Sequence, residues 1–334
     1  MGWGLPALQF LLCAALIARA GFVLSQSAER IAALTGLGAG WVGLVMLATV
    51  TSLPELASGL SAVTLVGAPD LAVGNLLGAC LFNLLFLAVI DALLRRQPLY
   101  EAAGDVHLLS AAFGVVLLGV VALSLLAGSR VPALLHVGLY SPLLLLGYLL
   151  ALRTVRRHEA QRAGPAPVAA ETAAQTSLAF EGRRFGIAAV VVLAAGSWLP
   201  GIADRLAGTL GWSHGFAGTL LMALATTLPE MAVTLSALRL GALDMAIGNL
   251  LGSSLFNVTI LAVADLAWLH GPLLADASPA HAATAVAAMV MSGLVVVGLV
   301  ARPRARVARV ASWIAIGLLT VWLANSALLF LHGR

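Results

Sequence analysis

A chain of 334 residues that is 61% hydrophobic and 10% charged, with mean hydropathy +1.03, carries far more apolar sequence than a soluble core of that size could hide. This excludes a soluble domain and leaves an integral membrane protein. The net charge of +4 would ordinarily suggest a nucleic-acid partner, but all eighteen basic residues are arginines placed at the ends of apolar stretches, where membrane topology accounts for them.

Apolar stretches of about 20 residues, each able to cross roughly 30 Å of hydrocarbon, recur along the whole chain. They give ten spans: Leu5–Leu24, Gly40–Val66, Leu71–Leu94, Val106–Leu126, Pro132–Leu152, Phe185–Leu206, Phe216–Leu238, Leu243–Leu269, Ala280–Val300 and Val310–Leu331. The first has no small-residue cleavage site after it and is taken as a true helix. Cys13 and Cys80 fall inside spans, which argues against a disulfide framework or a zinc site.

The second span carries Thr51-Ser52-Leu53-Pro54-Glu55, and the seventh repeats it as Thr226-Thr227-Leu228-Pro229-Glu230. The third carries Gly74-Asn75-Leu76-Leu77-Gly78-Ala79-Cys80-Leu81-Phe82-Asn83, and the eighth carries Gly248-Asn249-Leu250-Leu251-Gly252-Ser253-Ser254-Leu255-Phe256-Asn257. An acid and a helix breaker thus occur twice at membrane depth, where ionisable groups are expensive and mark ion or proton pathways.

Between the fifth and sixth spans, residues 153–184 mix Arg, Glu, Ala, Pro, Gln and Thr without apolar periodicity and read as a cytoplasmic linker. Fifteen of the arginines fall on the linker side, against Arg130, Arg205 and Arg334 on the other, so the positive-inside rule places both termini outside the cytoplasm. Five spans on each side of the linker mean that the second half enters the membrane in the opposite sense. The fold class is therefore all-α and polytopic, with about ten transmembrane helices in two inverted five-helix repeats: 1–152 with its motif at 51–83, and 185–334 with its motif at 226–257.

Counting about 1.5 Å per residue puts Glu55 roughly 21 Å from Trp41 and Asn83 roughly 18 Å from Leu71, near the midplane. Glu230 and Asn257 reach the same depth from the opposite side, so the four are expected to converge. Pro54 and Pro229 should also free main-chain carbonyls a turn earlier. Those carbonyls, the hydroxyls of Thr51, Ser52, Thr226, Thr227 and Ser253, the amides of Asn83 and Asn257, and the carboxylates of Glu55 and Glu230 form an oxygen-rich set suited to calcium or sodium. Two carboxylates neutralise one divalent ion, and several monovalent ions or protons could replace it.

Each motif has a plainer reading. Ser52-x-x-Glu55 and Thr227-x-x-Glu230 fit a capping box. Gly74-x-x-x-Gly78 and Gly248-x-x-x-Gly252 fit close helix packing. Asp70, Asp91, Asp244 and Asp265 sit near span ends and read as solvated or helix-end groups. The arginines at 302, 304, 306 and 309 read as a topological anchor able to touch anionic lipid heads.

At these residues the chain resembles the cation/calcium exchanger superfamily, in particular its sodium/calcium exchanger branch with paired alpha-repeats. The resemblance implies antiport of Ca2+ against Na+ by alternating access in a plasma (cytoplasmic) membrane, without ATP, an organic cofactor, a nucleic acid or an obligate protein partner. It places the central acids at Glu55 and Glu230, the hydroxyl and carbonyl ligands at Thr51, Ser52, Thr226 and Thr227, and second-motif ligands at Asn83, Ser253 and Asn257. Ala79 and Cys80 depart from the Ser-Asn common in the first repeat, Ser254 replaces a common Asn, and Asn257 replaces a frequent Asp. These losses keep a Ca2+/H+ antiporter as the alternative. A passive cation channel is a further reading, and an intramembrane enzyme has no recurring nucleophile–base pair to support it.

Overall fold

The computed structural model describes residues 4–94, 98–162, 176–209, 224–307 and 310–332. The middle of the linker, the first part of the Phe216–Leu238 span, and the arginines at 95, 96, 309 and 334 lie outside the described residues. The helices are α1 (Gly4–Thr35), α2 (Ala39–Thr51), α3 (Leu53–Val66), α4 (Pro69–Leu93), the short α5 (Leu99–Ala102), α6 (Val106–Ala127), α7 (Tyr140–Arg162), α8 (Leu178–Thr209), α9 (Leu228–Arg239), α10 (Leu243–Ala267), the short α11 (Leu273–Asp276), α12 (His281–Ala301) and α13 (Trp313–His332). Each of the ten expected spans includes helix among its described residues, but the fifth is helical only from Tyr140, its first residues forming a hairpin, and the tenth only from Trp313. Among the described residues, α1, α4, α6, α10 and α12 are each long and apolar enough to cross a membrane, and α2 with α3 makes a sixth as a bent pair.

The bend is where the sequence puts Pro54. The helix axis turns by 41° at Ser52, whose φ of −90° and ψ of 6° leave the α region. Proline lacks an amide donor and its ring collides with the preceding turn, so the break is built into the chain. Two π-helical turns, Gly43–Leu47 and Ala62–Val66, flank it. Such turns are rare and tend to mark functional stretches. Gly67 closes α3 in the left-handed conformation, φ 69°.

The chain packs as two compact units that cut across the sequence halves: residues 1–54 with 154–253, and residues 55–153 with 254–334. In the first unit α1 lies along α8. Ala20, Leu24, Ala28 and Ala32 of α1 bury against Ala188 and Val192, joined by Val42, Val233 and Ala246 from α2, α9 and α10. Small residues let the backbones approach, which matters in lipid because apolar side chains gain little by leaving one hydrocarbon for another. Gly21 sits against Val233, and Ser25 Oγ donates to the Val233 carbonyl at 3.0 Å, fixing α1 to α9. At the start of α2, both carboxylate oxygens of Glu159 accept from the Trp41 amide at 3.2 and 3.1 Å.

In the second unit α12 packs against α6, α4 and α13. Two small hairpins complete it: β1 (Ala133–Leu134) with β2 (Val137–Gly138), and β3 (Arg306–Val307) with β4 (Ala311–Ser312). Asp91 and Asp265, expected to be solvated, are buried and hold these hairpins. Asp265 accepts from the Gly138 amide at 2.9 Å, Tyr140 at 2.5 Å, Ser141 at 2.5 Å and the Leu273 amide at 2.7 Å, whereas Asp91 accepts from the Ser312 amide at 2.7 Å. The arginine cluster is also committed internally: Arg302 pairs with Asp105, Arg304 with Glu101 at 2.7 Å, and Arg306 donates to the carbonyl of Asp91 at 3.1 Å. Leu8, Leu12, Leu123, Leu146 and Leu149 remain more than half exposed, an outer surface suited to lipid rather than water.

Candidate ion-binding site

In the first unit the two copies of the acid motif interlock. Ser52, from the first copy, donates to Oε1 of Glu230, from the second, at 3.1 Å. Thr51 Oγ1 lies 3.2 Å from Ser253 Oγ and 3.4 Å from Asn249 Oδ1. The amide of Asn249 donates to the main-chain carbonyl of Glu230 at 3.3 Å and to Thr234 Oγ1 at 3.0 Å. Thr51, Ser52, Thr226, Thr227, Glu230, Asn249 and Ser253 are all buried. The second oxygen of Glu230, Oε2, has no hydrogen-bond partner among the described residues. A buried carboxylate with one idle oxygen is costly unless a cation or a proton meets it.

Glycines make this closeness possible. A Cβ on Gly248 would strike the carbonyl of Gly40, and one on Gly252 the carbonyl of Leu44, so α10 lies backbone to backbone on α2. Gly196 of α8 sits against both proline rings, where an added Cβ would come within 2.8 Å of Pro54 Cγ and 3.2 Å of Pro229 Cγ.

The capping reading is not realised at the second acid. Thr227 precedes α9 without capping it through its side chain, and its hydroxyl donates back to the Leu224 carbonyl at 3.3 Å. Ser52 likewise spends its hydroxyl on Glu230 rather than on its own helix.

The second unit holds Glu55, Asn83 and Asn257, all buried. Ser58 donates to the main-chain carbonyl of Glu55 at 3.1 Å, and Asn75 donates to Ser58 at 3.0 Å. Asn83 Nδ2 and both polar atoms of the Asn257 side chain are buried without a hydrogen-bond partner among the described residues. Cys80 Sγ donates to the carbonyl of Ser254 at 3.4 Å.

The sodium/calcium exchanger protein family matches residues 5–152 and 184–331, which takes in both copies of the motif. The chain belongs to this family.

Among its relatives, the Escherichia coli (strain K12) inner membrane protein YrbG is 29% identical over 224 residues, 66% of this chain and 66% of YrbG, so the match falls just short of two thirds of that protein's length. CaxA of Alkalimonas amylolytica, whose antiporter designation is provisional, is 28% identical over 246 residues, 72% of each chain. In fold the chain matches the sodium-calcium exchanger NCX_Mj soaked with Na+ and Ca2+, with TM-score 0.73, 20% identity, and coverage of 97% of this chain and 98% of that one.

Within this exchanger-family chain the motif residues divide between the two units. Thr51, Ser52, Thr226, Thr227, Glu230 and Ser253 belong to the first, and Glu55, Asn83 and Asn257 to the second. Among the described residues no group of three or more His, Cys, Asp or Glu side chains that could hold a metal is found. Asn249, the residue that ties Thr51 to the main chain of Glu230, was absent from the expected ligands. Its signal was its recurrence with Asn75 at the head of both second motifs.

Proposed function

We propose that this exchanger-family protein is a secondary active antiporter that exchanges Ca2+ for Na+ by alternating access. Glu55 and Glu230 serve as its charged ligands, and Thr51, Ser52, Thr226, Thr227, Asn83, Ser253 and Asn257 supply neutral oxygens. The carrying observation is Glu230, buried among hydroxyls and an amide with Oε2 unpartnered among the described residues. A hard cation is the natural partner of such a group because it takes oxygen ligands and cancels the charge. Asn249 acts as a positioning residue, holding the main chain of Glu230 against Thr51.

The repeat boundaries follow the same reading, with 1–152 and 185–334 as inverted repeats, 153–184 as a cytoplasmic linker and both termini outside a plasma (cytoplasmic) membrane. The two family matches and the distribution of arginines support this arrangement.

Ca2+/H+ exchange is the second reading. It is favoured by Ala79, which offers no oxygen, and by Asn257, which carries no charge. Purified protein in sealed vesicles decides between the two: Ca2+ uptake driven by an outward Na+ gradient supports sodium coupling. Uptake under a pH gradient alone replaces it with proton coupling, and Ca2+ flux that needs neither gradient overturns antiport.

A further inference from the structure

The groove between α1 and α8 takes no part in the polar clusters described above. It has a volume of about 290 Å³ and is walled by Leu16, Ala20 and Val23 on one helix and by Ile187, Ala188 and Val191 on the other. Two arginines, Arg19 and Arg184, complete its lining, and no carboxylate does. Arg184 is anchored: it donates to Gln26 at 3.0 Å and pairs with Glu181 at 3.3 Å, leaving its side chain 27% exposed. Arg19 is different. It is exposed, with apolar residues at 10–18 on its N-terminal side, and has no hydrogen-bond or ion-pair partner among the described residues.

An unpaired guanidinium in hydrocarbon is unfavourable, and a long arginine side chain reaches along its helix toward the polar interface. That interface is marked by Gln26, Glu181, Arg183 and Arg184, about 10 Å along α1 from Arg19 at 1.5 Å per residue. The groove therefore has one guanidinium at that interface, Arg184, and an apolar floor that runs from it past Arg19 to Leu16; Leu16 and Ile187 are 54% and 58% exposed. A peptide would need partners for its backbone amides along that floor, and the lining offers none. An acyl chain needs none.

We infer that this groove holds one acyl chain of an anionic phospholipid, with the lipid phosphate received by Arg19 and Arg184. Basic pockets between transmembrane helices on the positively charged side have the chemistry for such headgroups, and guanidinium matches phosphate in planar, two-pronged fashion.

The test is native mass spectrometry of the purified protein titrated with phosphatidylglycerol or phosphatidylcholine. It reads bound lipid directly and stands whether or not the exchange reading holds. Phosphatidylglycerol is retained over phosphatidylcholine, and R19Q and R184Q each weaken its retention about fivefold, the worth of one basic side chain at an anionic surface. R239Q, which removes an exposed arginine outside the groove, leaves retention unchanged. Equal retention of the two lipids by the unsubstituted protein overturns the inference, as does full phosphatidylglycerol retention by R19Q. Should R19Q fail to fold, the lipid comparison on the unsubstituted chain is decisive by itself.

Discussion

In the second repeat Asn249 reaches Thr51, the main chain of Glu230 and Thr234, whereas its counterpart Asn75 reaches Ser58, which in turn donates to the carbonyl of Glu55. The glycines differ in the same sense. Gly252 presses on the backbone of α2, while its counterpart Gly78 has nothing within 4 Å of where a Cβ would stand. A third pair follows suit, since Asp265 gathers four donors and Asp91 leaves Oδ1 without a hydrogen bond among the described residues. Duplication copied the residues, but each copy meets different neighbours, so equivalent positions carry unequal structural demands.

Substituting the acids is the severest way to break the comparison. E55Q and E230Q should each lower Ca2+ flux into vesicles by on the order of a hundredfold, about 3 kcal/mol, because each removes a buried charge that a cation needs. Normal flux in one of them would show that the two acids are not equivalent in function. Next comes the carboxylate pair: D265N should lower thermal stability by about 3 kcal/mol and D91N by about 1 kcal/mol, in proportion to the donors each leaves unmatched. A smaller loss in D265N than in D91N would reverse the assignment.

The glycines sharpen the contrast through packing. G252A should cost about 2 kcal/mol of stability, since the new methyl meets main chain that cannot swing aside, while G78A should be near neutral in the same unfolding assay. The smallest effect belongs to the asparagines. N249A should reduce flux about tenfold and N75A about threefold, with protein yield unchanged, because one holds the acid directly and the other through Ser58. Equal losses would mean that Asn249 has no special hold on Glu230.

The repeated motif, the helical positions and the burial of Glu55 and Glu230 were all readable in the sequence, because apolar length and periodic recurrence are local signals. The packing role of Gly248 and Gly252 was readable too, but the openness around Gly78 was not: its identity with Gly252 concealed a different neighbour. Asp91 and Asp265 looked solvated because they lie near span ends, and only hairpins 221 and 127 residues away in the chain enclose them. Asn249 escaped for a related reason, since a residue beside a packing glycine gives no sign of which carbonyl its amide will find. The crossing of the two halves, with Thr51 to Pro54 packed beside Glu230, depends on long-range packing that no local pattern encodes.

Gly196 touches the rings of both Pro54 and Pro229. One position on one helix therefore polices two breaks that arose by duplication, and a side chain there would disturb both ancestral copies at a stroke. The repeats can drift apart at Asn75 and Asn249 or at Gly78 and Gly252, but opposite Gly196 they remain bound to a common fate.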